Sequence, residues 1–373
     1  MSTKLRVAVI FGGRSGEHEI SLLSAESVIN ALDKEKYEVV PIGITKQGKW
    51  LLSGDPMNTL RGISSSTMLP SSALVVDPAQ RGLVTLELGS NGNSNKRKVD
   101  VVIPILHGTY GEDGTIQGLL ELADVPYVGA GVLASSVGMD KAVMKTVFTY
   151  NGIPGVEFVV VKKKEWERDS AAVVREIESK IGYPCFIKPA CLGSSVGISK
   201  VHSRSELEPA MQLAAEFDRK IIVERSAENS REIEVSVLGN DDPIASVPGE
   251  IIPCNEFYDY RAKYVDEGSK LIIPAELPKA TTQTVQRLAI EAYKAVDCSG
   301  MARVDFLVSK DGSKVLVNEI NTIPGFTQIS MYPKLWEATG ISYRELLDRL
   351  IELAIERHME KSKLRTSYRL EEN

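Results

Sequence analysis

The amino-acid sequence lacks any apolar stretch close to the roughly 20 residues that a helix needs to cross a membrane. The short apolar run in the N-terminal MSTKLRVAVIFGG carries no cleavage signature, so it is typical of a first strand rather than of a secretion signal. Cysteine is also scarce. The cysteines are widely spaced and form no CxxC pair, which argues against a disulfide framework and against a zinc site: Cys185, Cys191, Cys254 and Cys298. A reducing cytoplasm is the simplest setting for such a chain.

The sequence also lacks an excess of positive charge. The formal net charge is -6 at pH 7, so nothing indicates the basic surface that nucleic-acid binding requires. The nearest basic block, Lys96-Arg97-Lys98, follows a polar run and predicts a solvated hairpin loop. Hydrophobic residues make up 43% of the chain and charged residues 25%, which is typical of a globular protein and excludes a disordered or fibrous one.

With 373 residues, the chain is long enough for two or three domains. The run LRVAVIF ends in Gly12-Gly13 and precedes a helical pattern, which predicts the opening of a doubly wound α/β unit. Further strands are predicted at 38–44, 73–77 and 83–88, and the buried strand DVVIPIL with the helix after it completes a first domain that ends near Gly129. One long helix is predicted at residues 135–150, and antiparallel strands are predicted from Arg231 onward.

Residues 187–201, IKPACLGSSVGISKV, place a lysine before a loop of small residues. Small residues let backbone N–H groups approach phosphate oxygens, while Lys188 supplies a point charge. The pattern is neither a Walker A loop, because the lysine precedes the glycines, nor GxGxxG. The loop therefore predicts a phosphate site, and a plain surface turn is the alternative.

Acidic side chains interrupt two apolar strands near the C-terminus. Glu319 and Asn321 lie two apart and so share a strand face, and Asp305 joins them if the two strands pair. This oxygen cluster suits magnesium that bridges phosphates, and Arg303 shares the face of Asp305. A solvated polar face is the alternative, although burying an unpaired carboxylate is costly.

Three further segments carry polar side chains with two possible interpretations. The turn GGRSGEHEIS precedes a helix; we interpret Glu17 as complementing the helix dipole and leave Glu19 open between capping and binding an ammonium group. A lone histidine is more often structural, so we expect His107 to orient its loop. In the long polar loop at residues 253–272, Lys263 and Tyr264 either close over a nucleotide or belong to a mobile surface loop.

Together these segments resemble the ATP-grasp superfamily, and most closely its D-alanine–D-alanine ligases. The matching segments run from Gly12 to about Ser330: GGRSGEHEISLLSA, HGTYGEDGTIQGLLEL, PYVGAGVLASSVGMDK, IKPACLGSSVGISKV, REIEVSVLGN, FYDYRAKY and MARVDFLV…NEINTIPGFT. The resemblance implies an α/β ATP-grasp fold of three domains. They are an N-terminal doubly wound α/β substrate-binding domain at 1–129, a central subdomain at 130–228, and a C-terminal subdomain at 229–373 with the metal site and the lid loop 253–272.

The resemblance also implies a role for each site residue. Lys141 and Lys188 would contact the phosphates of ATP, with Ser194 and Ser195 in the loop over them. Glu224 would lie at the adenine and Glu232 at the ribose. Lys263 would reach the transferred phosphoryl group. Two magnesium or manganese ions would be held by Asp305, Glu319 and Asn321. Glu19 would bind the ammonium group of the first D-alanine, in a hydrogen-bonded set with Ser194 and Tyr264. Arg303 and the N–H of Gly325 would stabilise the oxyanion. Ser330 would bind the carboxylate of the second D-alanine.

The implied activity is ATP-dependent joining of two D-alanines through an acylphosphate, in a cytoplasmic homodimer. Three alternatives compete with it. A ligase of the same family making a D-alanyl–D-lactate ester is disfavoured by Tyr264, since the depsipeptide ligases it resembles carry histidine there. A non-catalytic nucleotide-binding regulator would not need Arg303. A Rossmann dehydrogenase would carry GxGxxG after the first strand, which is missing.

Overall fold

A computed structural model describes residues 4–52, 54–63, 72–75, 82–85, 96–252 and 270–365. The described chain is built on four β-sheets with helices packed between and around them. None of its described helices is both long and apolar enough to cross a membrane.

The N-terminal sheet is mostly parallel, as the sequence predicted. Its strand order is β3-β2-β1-β7, and β1 pairs in parallel with both β2 and β7. The elements of this part are β1 (Leu5–Gly12), α1 (His18–Ala31), β2 (Tyr37–Ile44), β3 (Trp50–Leu51), α2 (Pro56–Leu60), β4 (Ser72–Val75), β5 (Gly82–Thr85), β6 (Lys96–Lys98), β7 (Val101–Ile105) and α3 (Thr115–Leu122). β1 and β7 read as continuous apolar runs because helices cover both faces of the sheet.

The basic block at residues 96–98 is not a hairpin loop. It forms β6, which pairs antiparallel with β5 in a three-stranded sheet with β4. The prediction was wrong because a short run of lysine and arginine has low intrinsic strand preference, and the pairing partner decides its conformation.

The central part is a four-stranded antiparallel sheet with order β10-β9-β11-β8. Its elements are α4 (Val132–Met139), α5 (Lys141–Tyr150), β8 (Phe158–Lys162), α6 (Lys163–Arg168), α7 (Ser170–Lys180), β9 (Cys185–Pro189), β10 (Ser199–Val201), α8 (Arg204–Phe217) and β11 (Lys220–Arg225). The single helix predicted at 135–150 is two helices. Asp140 leaves the helical conformation between them and its carboxylate accepts the N–H groups of Ala142 and Val143, which caps α5.

The C-terminal part is an antiparallel sheet with order β15-β14-β12-β16-β17, and β13 pairs with β12. Its elements are β12 (Ser230–Gly239), β13 (Ile244–Ala245), β14 (Gly249–Ile252), β15 (Lys270–Ile272), α9 (Lys279–Ala295), β16 (Gly300–Ser309), β17 (Val315–Asn321), α10 (Met331–Thr339) and α11 (Tyr343–Ser362).

The hydrophobic cores show how these parts are joined. One core contains side chains of β1, β7 and α1 together with Trp336 of α10 and Leu350 of α11, so the chain's two ends are packed together. A second core lies wholly within residues 159–223. Met144 and Phe148 of α5 pack in a third core with the C-terminal sheet. The domain boundaries near 129 and 228 remain a prediction.

Candidate active site

Two adjoining cavities lie where the three parts of the chain meet. The larger, about 410 Å³, is lined by residues of the first glycine turn and α1, of the segment after β7, of the glycine loop at 191–197, and of β16, β17 and the segment after them. The smaller, about 120 Å³, lies between β9, β11, β12, β16 and β17. Lys141, Ser195, Glu234 and Glu319 line both cavities, so a ligand can extend from one into the other.

The predicted cluster of oxygen side chains forms on one face of the paired strands β16 and β17. Asp305 is opposite Glu319, and Arg303 is opposite Asn321. The side-chain amide of Asn321 donates to Asp305 at 3.2 Å. Carboxylate and amide oxygens beside a cavity suit Mg²⁺ or Mn²⁺, so these residues fit a metal bound with phosphates. Within the described chain no three His, Cys, Asp or Glu side chains are grouped so that they could hold a metal ion by themselves.

Buried lysines and a buried glutamate face the same region. Glu224 is 2% exposed; one of its oxygens lies 2.6 Å from Nζ of Lys188 and the other 3.3 Å from Nζ of Lys145. Burial opposes ionisation of Glu224, but the two ammonium groups lower its pKa on balance. Burial lowers the pKa of Lys145. Lys141 lies 3.4 Å from Glu319, and the nearby carboxylates outweigh burial and raise its pKa.

The glycine loop is anchored at its base and strained at its tip. Lys141 N–H donates to the carbonyl of Ala190 at 2.9 Å, and Cys191 N–H donates to Asp218 at 2.8 Å. Ser194 and Ser195 take left-handed φ angles of 53° and 58°, which non-glycine residues seldom adopt. Such strain is typical of ligand-binding loops held by their surroundings.

Of the two glutamates at the start of α1, Glu17 lines the large cavity and Glu19 does not. The hydroxyl of Ser194 donates to the carboxylate of Glu17, which lines the cavity. Glu19 is 63% exposed, pairs with Lys46 at 2.5 Å and does not line the cavity. The predicted contact between Glu19 and Ser194 is therefore wrong. The helix begins at His18, so Glu17 precedes its first turn and points toward the loop, whereas Glu19 lies on the helix face toward Lys46.

Glu112 and His107 lie beside Glu17 and complete this end of the cavity. Burial raises the pKa of the Glu112 carboxyl, and the charge of Glu17 raises it further, although His107 opposes the shift. The ring of His107 is 3% exposed, with Nδ1 3.1 Å from the carbonyl of Ile323 and Nε2 3.1 Å from Oγ of Ser24. His107 therefore orients its loop, as the sequence predicted, and two adjacent carboxylates here favour a cationic ligand.

Arg303 and Gly325 line the large cavity between its two ends. Nε and Nη2 of Arg303 each donate to Asp305 at 2.7 Å, and Nε also lies 3.0 Å from the carboxylate of Glu234. A Cβ on Gly325 would lie 3.1 Å from Oγ of Ser330, so these two residues are adjacent. The hydroxyl of Ser330 accepts from the backbone of Thr327 at 3.1 Å.

Of the other predicted site residues, Glu232 lines the small cavity with Glu224 and Lys188. Lys263 and Tyr264, with most of the predicted lid loop, lie outside the described residues. Sequence reasoning missed Lys145, Glu112 and Glu234. Glu234 shares a strand face with Glu232 inside the apolar run EIEVSV, and the argument applied to Asp305 would have found it.

The parallel N-terminal sheet, the antiparallel central unit, and the C-terminal sheet with its acidic face around a shared cavity have the architecture of ATP-grasp ligases. Family models match both halves of the chain: the D-ala D-ala ligase N-terminus over residues 6–130 and the D-ala D-ala ligase C-terminus over residues 147–352.

Curated proteins and solved structures that are similar to this chain point to the same family as these models. A D-alanine–D-alanine ligase of Thermoanaerobacter sp. (strain X514) is 56% identical over 96% of this chain and 98% of its own. The solved D-alanine–D-alanine ligase of Coxiella burnetii is 40% identical with a TM-score of 0.84, over 96% of each chain. The VanG D-Ala:D-Ser ligase of Enterococcus faecalis is 37% identical with a TM-score of 0.84, over 94% of this chain and 100% of its own. The chain belongs to the D-alanine–D-alanine ligase family and is an ATP-dependent ligase.

Proposed function

We propose that this protein joins two D-alanines into D-alanyl-D-alanine, with ADP and phosphate as the other products, and so supplies a precursor of peptidoglycan. The observation that carries the proposal is the continuous pair of cavities, with lysines at one end, paired carboxylates at the other and Arg303 between them. The names of the relatives support D-alanine as the substrate.

ATP would occupy the small cavity, with Glu224 at the adenine, Glu232 at the ribose, and Lys141 and Lys188 at the phosphates. Ser195 and Ser194 of the glycine loop would lie over the phosphates. The acidic end of the large cavity would hold the ammonium group of the first D-alanine, with Glu17 in the role predicted for Glu19. Its carboxylate would then face the γ-phosphate.

Phosphorylation is needed because a carboxylate has oxide as its leaving group, whereas an acylphosphate releases phosphate. Asp305, Glu319 and Asn321 would hold two Mg²⁺ or Mn²⁺ ions, which would neutralise charge on the phosphates. Ser330 would bind the carboxylate of the second D-alanine, whose amine attacks the acylphosphate carbon. Arg303 and the N–H of Gly325 would stabilise the resulting oxyanion. Lys263 and Tyr264 keep their predicted roles at the phosphoryl group and the first D-alanine.

The test compares phosphate release from ATP with D-alanine, with L-alanine, and with equal D-alanine and D-lactate. We expect release with D-alanine alone, little with L-alanine, and dipeptide rather than ester in the mixture. Ester as the main product would instead identify a depsipeptide ligase, and no release with D-alanine would contradict the proposal.

Two further parts of the proposal rest on the family resemblance. We place the reaction in the cytoplasm, where ATP is available. We also propose a homodimer, and light scattering at working concentrations tests that assembly by giving the mass of one chain or of two.

A further inference from the structure

Glu234 is a buried carboxylate that has no role in the reaction described above. It lies on β12 and is 5% exposed. β12 pairs with β16 so that Glu234 is directly opposite Asp305, and its side chain lines both cavities. Burying a carboxylate is costly unless a partner of opposite charge compensates it. One such partner here is the guanidinium of Arg303, whose Nε lies 3.0 Å from a carboxylate oxygen of Glu234.

The position of Arg303 depends on carboxylates from two strands. Asp305, on the same strand as Arg303, accepts from Nε and Nη2, while Glu234 approaches Nε from the neighbouring strand. These contacts hold the Nε–Nη2 edge of the planar guanidinium, so the other edge, with Nη1 and the second N–H of Nη2, is the one that can reach an incoming oxyanion. Asp305 alone is a poor anchor, because in the proposed reaction its oxygens also bind metal.

We propose that Glu234 is a positioning residue that holds Arg303 in place for attack by the second amino group. The inference rests on the proposed function and goes beyond it by assigning a residue to the second step only. When Arg303 is misplaced, the acylphosphate still forms but its oxyanion is less well stabilised during amine attack. Water then attacks the phosphorus of the waiting acylphosphate, which breaks the P–O bond without forming that oxyanion and releases D-alanine and phosphate, so ATP is consumed without dipeptide.

The test measures phosphate released per dipeptide formed, with ATP and D-alanine at saturation, in wild type, Glu234→Leu and Glu234→Gln. Wild type should give a ratio near one. Glu234→Leu should raise the ratio about tenfold, which is less than the ~100-fold or greater loss caused by removing an oxyanion donor. Glu234→Gln keeps the size of the side chain and a polar oxygen beside Nε but loses the charge, so it should give a ratio between those of Glu234→Leu and wild type.

Glu250→Leu is the matched control. Glu250 is also buried in this sheet, at 7% exposure, and pairs with Arg231 at 2.6 Å, but it lines neither cavity. The Glu250→Leu variant should be less stable than wild type, but its ratio of phosphate released to dipeptide formed should stay near one. A ratio near one in Glu234→Leu, or a rise of equal size in Glu250→Leu, would overturn the inference. Wild type that forms no dipeptide would instead contradict the proposed function.

Discussion

At the scale of single residues, the site is organised by pairs of opposite charge in which one partner is shared. Glu224 divides its two oxygens between Lys145 and Lys188, and Arg303 is divided between Asp305 and Glu234. Two ammonium groups around one carboxylate give an excess of positive charge at Glu224, which a phosphate can bind, whereas a one-to-one ion pair would offer little.

The first prediction concerns the ammonium group of the first D-alanine. Glu17→Gln removes the charge that faces the cavity but keeps the hydrogen bond with Ser194. A hydrogen bond to a charged group contributes about 1.5–3 kcal/mol, so we expect the KM for D-alanine to rise about 10- to 100-fold. Initial rates at varied D-alanine and saturating ATP measure this change.

Glu19→Gln is the control for that experiment. Glu19 pairs with Lys46 at the surface, and exposed ion pairs contribute little, so the KM should stay within about twofold of the wild-type value. A larger KM in Glu19→Gln than in Glu17→Gln would contradict the assignment and restore the role that the sequence predicted for Glu19.

Sequence alone predicted which segments meet at the site, but not every partner. Strand alternation was enough to place Asp305 beside Glu319 and Asn321 once β16 and β17 paired. Glu17 and Glu19 are two residues apart in a turn that enters a helix, where no simple period assigns a direction. Lys145 lies one helical turn after Lys141, but its partner Glu224 is on a strand 79 residues further along the chain, so local sequence could not pair them.

At the scale of elements, the glycine loop approaches the N-terminal turn closely. Ser194 contacts Glu17, and a Cβ on Gly193 would lie 3.2 Å from the carboxylate of Glu17. This distance is tighter than an ordinary contact, so the loop and the carboxylate can keep their positions only while residue 193 lacks a side chain.

The second prediction follows from that approach. Gly193→Ala should move the loop away from Glu17 by a few tenths of an ångström. The KM for D-alanine should then rise several-fold, which corresponds to a loss of roughly 1 kcal/mol in binding free energy. The thermal midpoint should change little because Gly193 does not need a left-handed φ. Gly118→Ala is the control, since a Cβ there meets nothing within 4 Å. Equal KM values for D-alanine in the two variants would contradict the close approach.

The sequence predicted the main strands better than the breaks between elements. Apolar runs such as β1 and β7 are buried on both sides, so their pattern is strong. The break at Asp140 depends on a side-chain cap rather than on a change in the apolar pattern, and β6 depends on its partner β5. Both of these features require contacts that local sequence does not contain.

At the scale of the whole molecule, the first and last parts of the chain stabilise each other. α11 lies against the N-terminal sheet, and its Arg357 donates to the carbonyl of Tyr127 at 2.9 Å and packs over the Tyr127 ring. Leu350 of α11 is 1% exposed in the core that also contains Val7, Phe11 and Ile103. Ile323, which lines the large cavity, and Leu22 of α1 belong to the same core, so this core supports the cavity wall.

The third prediction tests that shared core. Leu350→Ala should lower the free energy of unfolding by about 2–5 kcal/mol, as buried leucine truncations do. Leu213→Ala, at a helical site that is 39% exposed, should cost about 0.5 kcal/mol or less. Urea unfolding measures both. Hydrogen exchange in Leu350→Ala should quicken in β1 as well as in α11, and unchanged exchange in β1 would contradict a core common to the two parts.

The most direct test of the proposed reaction traces a carboxylate oxygen of D-alanine into the phosphate that is released. D-alanine labelled with ¹⁸O in its carboxylate is incubated with the protein, ATP and magnesium, and the phosphate and dipeptide are analysed by mass spectrometry. If the carboxylate attacks the γ-phosphate and phosphate then leaves on attack by the second amine, each phosphate released with a dipeptide carries one labelled oxygen. Dipeptide formed together with unlabelled phosphate would contradict the acylphosphate route.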